Sequence, residues 1–197
     1  MSGITRLIIL VLVVIVLAVG AYVVIRQAEV SRSDLPALAR LPEFEFVTHE
    51  GARFGTEDML GEINVVDFIF TRCQGPCPIM GGHMSELYEL FEDANNVRFI
   101  SITVDPEYDS LSVLRAYADG MGVRDSRWLF LWAPIDSVVW LSESGFMLAA
   151  EDLPGSHTTK WALVDQNATI RGYYGGTDLA SIEILKTHIV QLVRDMR

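Results

Sequence analysis

The chain has 197 residues, 50% of them hydrophobic and 21% charged, with 15 Gly and 7 Pro. That balance excludes a large multidomain assembly, a disordered polymer and a fibrous repeat, and leaves about one packed domain with an appendage. Lys and Arg number 15 against 26 Asp and Glu, a formal net charge of −11. The chain therefore lacks the basic footprint a phosphate backbone needs, and nucleic acid is not an expected partner. Two Cys cannot build a disulfide framework, and four His allow at most a small metal site.

From Leu7 to Ile25 the chain reads LIILVLVVIVLAVGAYVVI, without a charge. Such a stretch is long enough to cross a ~30 Å hydrocarbon layer as a helix, and too long for the ~7–15-residue core of a signal peptide. We expect residues 1–6 in the cytoplasm and a single transmembrane anchor over residues 7–25. Arg6 precedes it whereas Arg26, Arg32 and Arg40 follow, a tally that opposes an outside C-terminus. Long C-terminal domains cross largely regardless of flanking charge, so the tally carries little weight. No Arg- and Ser-rich transit peptide leads the chain, which points to a bacterial cytoplasmic membrane with the C-terminal domain in the periplasm or outside. All the acidic residues follow the apolar stretch, the first being Glu29. An acidic domain suits docking to a basic protein patch, and equally an ordinary soluble surface.

Residues 26–42 mix charges, Ser and two Pro without a period and read as a linker to a domain at 43–197. Phe44, Phe46 and Phe54 around Gly51 predict a hairpin. Ile63–Phe70 is a β-branched and aromatic run typical of a buried central strand. After Pro78, the residues Met80, Met84, Leu87 and Phe91 form one helical stripe to about Asp93. Val97–Val104 is a second strand, so strand, helix and strand make a parallel crossover. Asp109-Ser110 offers a cap for a helix that Gly120 and Gly122 stop, and a strand follows near Trp128–Leu131. Ile135–Phe146 reads as helix and Met147–Thr159 as loop. Lys160–Asp165 and Ile170–Tyr174 form a hairpin, and Ile182, Leu185, Ile189, Leu192 and Met196 mark a terminal amphipathic helix. An α/β sandwich of the thioredoxin type fits this order best.

Cys73-Gln74-Gly75-Pro76-Cys77-Pro78 falls between the first central strand and its helix, at the carboxyl edge where open α/β sheets bind ligands. Pro78 suits the first helical turn, so Cys77 lies near a helix N-terminus, where the dipole favours thiolate over thiol. The short spacer can bring both sulfurs to one ion or to each other. Free Cys is also a common buried hydrophobe. Among the histidines, His49 reads as a turn residue and His188 as a helix-surface residue. His83, flanked by Met80 and Met84, could join a methionine-rich copper site, but the helical stripe already accounts for both Met as core. Asp105 could orient the site, but capping the turn before Pro106 explains it better.

The stretch from Val66 to Cys73 and Cys77-Pro78, then Ser101-Ile102-Thr103-Val104-Asp105-Pro106-Glu107, and later His157-Thr158-Thr159 before Leu163-Val164-Asp165, resembles the Sco/SenC family over roughly residues 42–195. The resemblance implies a membrane-tethered thioredoxin-like fold with copper, Cu(I) or Cu(II), held by Cys73, Cys77 and His157. It further implies delivery to the copper-bearing subunit of cytochrome c oxidase, with a periplasmic copper donor as a further partner. The spacer Gln74-Gly75-Pro76 departs from the Pro-Asp-Val type of some members. Two thiolates and an imidazole form a soft three-coordinate set suited to copper, and an open position lets a recipient's ligand take the metal. A thiol-disulfide oxidoreductase cycling Cys73 and Cys77 is the alternative, and a peroxidase of the same fold a third reading.

Overall fold

The computed structural model describes residues 9–21, 35–150, 153–154 and 158–196. Residues 9–21 form a helix, and among the described residues no helix is long and apolar enough to cross a membrane. Residues 7–8 and 22–25 of the expected span and residues 26–34 of the expected linker lie outside the described residues.

A second unit runs from Leu35 to Met196. Its strands β1 (Ala39–Arg40), β2 (Glu45–Thr48), β3 (Arg53–Gly55), β4 (Ile63–Ile69), β5 (Val97–Thr103), β6 (Trp128–Trp132), β7 (Lys160–Val164) and β8 (Thr169–Gly175) join one sheet in the order β1-β8-β7-β4-β5-β6-β2-β3. The helices are α1 (Cys77–Leu90), α2 (Leu111–Gly120), α3 (Ile135–Trp140) and α4 (Leu179–Asp195). Strands β4, β5 and β6 are parallel, with Ile63 opposite Val97 and Ile69 opposite Thr103, while β7 lies antiparallel on the other side of β4.

Every residue of β4 is buried because both faces of the sheet are covered. Val65 and Ile69 pack with Met80, Met84 and Leu87 of α1 and with Ile182, Leu185 and Ile189 of α4. Val66 and Phe68 pack on the opposite face with Val138, Leu141 and Phe146. The predicted hairpin forms, with Gly51 at φ +89°, a left-handed conformation that glycine adopts without strain. Helix α2 is capped by Ser110, whose hydroxyl accepts from the Val113 N–H.

Two expectations are corrected. Residues 35–42, read as linker, belong to the folded unit. Ala39 and Arg40 pair with Ile170 and Thr169, Leu41 is 4% exposed, and the Arg171 guanidinium donates to the carbonyls of Leu35 and Pro36. A two-residue edge strand is too short to display an alternating pattern. The helix predicted over Ile135–Phe146 is α-helical only to Trp140, then widens into a π-turn over Leu141–Gly145. His49 lies in the turn after β2, as read, and that turn position is buried. It is 5% exposed, its N–H donates to the Phe130 carbonyl at 2.7 Å, and its Nδ1 accepts the Phe130 N–H at 3.2 Å. Burial, the largest cause, depresses its pKa against the opposing pull of Glu50.

Candidate metal centre

Parallel β4 and β5 end side by side, the Val104 N–H donating to the Ile69 carbonyl at 2.8 Å. Two loops therefore start from one edge: Phe70–Pro76, which carries Cys73, and the acidic turn after Val104. The turn before Cys73 is fastened to the acidic one. Asp109, wholly buried, accepts from the Thr71 N–H at 3.1 Å, the Thr71 hydroxyl at 2.5 Å and the Thr103 hydroxyl at 2.6 Å. Arg72 Nε donates to Asp105 Oδ2 at 2.6 Å, and its guanidinium lies 4.8 Å from the Tyr108 ring centroid. The Asp105 side chain thus holds Arg72, while its carbonyl receives the Tyr108 and Asp109 N–H groups. As a cap to the turn it works through backbone rather than carboxylate.

Cys77 is the first residue of α1, with Pro78 beside it in the first turn, and is 1% exposed. Cys73 is half-buried among exposed neighbours Arg72, Gln74 and Gly75. Neither is in a disulfide. Burial alone would push the Cys73 thiol up, but hydrogen bonds from the Cys77 thiol and from the Cys77 and Gly75 N–H groups outweigh it and hold the pKa below the ordinary value. Burial pushes the Cys77 thiol up to about 12, reinforced by its hydrogen bond to Cys73 and by the charges of Cys73 and Asp67. The sequence reading placed the thiolate on Cys77 because it opens the helix. The structure reverses that, because the donors at the helix start serve Cys73 and the core surrounds Cys77.

Beneath the pair, Asp67 sits in the middle of β4, 1% exposed, opposite Ser101 of β5. Burial raises its pKa to about 7 against a hydrogen bond from Ser101, and its Oδ1 has no hydrogen-bond partner among the described residues. Tyr117 of α2 is held protonated, first by burial and then by the charges of Asp67, Cys77 and Cys73. Sequence reasoning missed Asp67, Asp109, Thr71 and Thr103. The one available signal was Asp67, a lone acid inside an apolar strand.

The structure brings Cys73 and Cys77 together, while His157 lies outside the described residues. Among the described residues, no group of three or more His, Cys, Asp or Glu is arranged to hold a metal ion. His83 bonds through Nδ1 to the Gly176 carbonyl at 2.9 Å, with Met80 and Met84 fully buried in the core. His188, half-buried rather than on the open surface, bonds through Nδ1 to the Tyr174 hydroxyl at 2.6 Å. A cavity of about 470 Å³, lined by His49, Phe54, Ala118 and Leu129 among others, lies apart from the cysteines.

A dithiol at the carboxyl edge of a parallel strand, one sulfur opening the next helix and helices on both faces, defines a thioredoxin-like dithiol protein. A model of the SCO1/SenC family matches residues 34–194. The chain belongs to that family. It is 37% identical over 89 residues to a SCO1 protein homolog of Bacillus subtilis, covering 45% of this chain and 46% of that one, so the match spans under half the relative's length. A putative copper-binding protein of Stutzerimonas stutzeri is 28% identical over 150 residues, 71% of each chain. Among solved structures, a SCO1/SenC family lipoprotein of Bacillus anthracis aligns with a TM-score of 0.72 at 29% identity over 78% of this chain and 95% of that one. BsSco, described as having a disulfide switch and belonging to the Sco family of cytochrome c oxidase assembly proteins, aligns with a TM-score of 0.72 at 24% identity over 82% and 96%. The last likeness is one of fold.

Proposed function

We propose that this protein is a membrane-anchored copper carrier, which binds copper through Cys73, Cys77 and His157 and delivers it to the copper-bearing subunit of cytochrome c oxidase. The observation that carries the reading is the pair of thiols joined by a hydrogen bond, one of them opening α1 at the carboxyl edge of the parallel strands. Hydrogen bonds hold the half-buried Cys73 below the ordinary thiol pKa, while Cys77 keeps its proton until a soft cation displaces it. Two thiolates alone leave copper under-coordinated, and the imidazole of His157 supplies a third donor of suitable softness. A surface site with an open position suits exchange with a partner's ligands. The copper-binding relative of Stutzerimonas stutzeri and the oxidase-assembly protein BsSco support copper as the cargo and oxidase assembly as the setting. The apolar run at residues 7–25 would tether the domain to the bacterial cytoplasmic membrane, facing a periplasmic donor.

Anaerobic reconstitution of the full chain in detergent micelles tests the reading by metal count. One copper per chain is expected, with loss in Cys73→Ser and Cys77→Ser and a large fall in Cu(II) retention in His157→Ala. Undiminished retention in His157→Ala would remove the third ligand and with it the copper assignment. Because loading takes the proton from Cys77, affinity should fall as pH is lowered.

The S–H···S hydrogen bond also favours a second reading, reduction of a partner's disulfide. The Cys73 thiolate attacks one partner sulfur and the other leaves as thiolate. Cys77 then loses its proton and attacks Cys73, which forms the Cys73–Cys77 disulfide and releases the partner as a dithiol. His157→Ala should spare this exchange.

A further inference from the structure

We propose that Asp109 is the positioning residue for Cys73, the strut that keeps its sulfur within bonding reach of Cys77. The assignment rests on the ability of those cysteines to pair, whichever reading of the dithiol holds, and requires no copper.

Asp109 is 0% exposed and distant in sequence from the cysteines, yet its carboxylate ends on the turn that precedes Cys73. Oδ1 accepts the Thr71 hydroxyl at 2.5 Å, and Oδ2 accepts the Thr71 N–H at 3.1 Å together with the Thr103 hydroxyl at 2.6 Å. Three donors converge on two oxygens. A carboxylate takes all three as charge-assisted bonds, whereas an amide keeps an oxygen for only one side and must trade the short Thr71 hydroxyl bond for a weaker neutral N–H donation. Asp109 is itself fixed, its N–H bonded to the Asp105 carbonyl at 2.9 Å and its successor Ser110 capping α2. The force path therefore runs from the start of α2 through Asp109 to Thr71. Two peptide links further on, at most about 7 Å of chain, stands Cys73. Cys77 needs no such strut, since the core encloses it. A disulfide tolerates only a narrow range of Cα separation, so loosening the Cys73 side makes closure harder.

The test equilibrates the full chain, in detergent micelles without metal, with reduced and oxidised glutathione. One oxidised glutathione is consumed and two reduced molecules are released per Cys73–Cys77 disulfide. Asp109→Asn should lower that equilibrium constant about 10-fold, and Thr71→Val, which keeps the N–H and loses the hydroxyl, about 3-fold. The double variant should fall no further than Asp109→Asn alone, because both changes cut one link. Ile170→Ala, a core change at the sheet end opposite the cysteines, should lower thermal stability and leave the constant unchanged. An Asp109→Asn constant within about 2-fold of wild type, multiplicative effects in the double variant, or an equal shift in Ile170→Ala would overturn the proposal. Should Asp109→Asn fail to fold, an unshifted Thr71→Val constant overturns it alone. Copper retention in His157→Ala does not enter this readout, so the two accounts fail separately.

Discussion

The two cysteines lie four positions apart and are held by opposite means. Cys77 is fixed by apolar packing, as the first residue of a helix whose Met80, Met84 and Leu87 are fully buried. Cys73 is fixed by hydrogen bonds, through a turn tied to Asp105 and Asp109. Burial makes the first sulfur a reluctant acid, and donated hydrogen bonds make the second a ready one. Core packing thus sets where the site is, and polar contacts set how it reacts.

The strongest way to break this comparison is to remove one sulfur at a time. Cys77→Ser should abolish disulfide formation, and should also weaken Cys73 acidity by replacing its S–H donor with a hydroxyl in altered geometry. Titration of Cys73 alkylation against pH checks this, and an unchanged midpoint would separate the two sulfurs electrostatically. Next in size, Met84→Ala should cost about 2–5 kcal/mol in urea unfolding through a cavity under α1, while Cys73 keeps its lowered midpoint. A lost midpoint would show that packing also controls reactivity.

Asp67 gives a pH signature. Its folded pKa is about 7 against an unfolded 3.8, so between those values the native state holds a proton that the unfolded state has lost. Stability from this group is therefore present below about pH 4 and declines as pH rises to 7, at about 1.4 kcal/mol per pH unit. Asp67→Asn should flatten that slope in denaturant unfolding, and a slope unchanged by the substitution would contradict the buried carboxyl. The smallest effect belongs to Arg72. Cys73 acidity rests on Cys77 and Gly75 donors, so Arg72→Ala should move its alkylation midpoint by less than about half a unit. A larger shift would add the guanidinium to the thiolate's supports.

Much of the architecture was legible because it is written in local periods. The stripe Met80–Met84–Leu87 marked α1, the run Ile63–Ile69 marked a strand covered on both faces, and Ser110 marked the start of α2. The cysteine spacing and its strand-to-helix setting located the site. What escaped depends on partners far along the chain. β1 is a strand only because β8 offers it an edge, and His49 is buried only because Phe130 of β6 bonds it twice. Asp109 read as a neighbour of a helix cap, since nothing local shows a carboxylate reaching Thr71. The acidity of the two thiols was inverted for the same reason. A helix start predicts available N–H donors, not which of two nearby sulfurs receives them.

The division of labour between the thiols is tested most directly by alkylating the reduced full chain across a pH series and following each cysteine by mass spectrometry. Cys73 should be modified first, with a midpoint below that of an ordinary thiol, while Cys77 stays unreacted until strongly alkaline pH. Equal midpoints, or Cys77 reacting at the lower pH, would contradict the account.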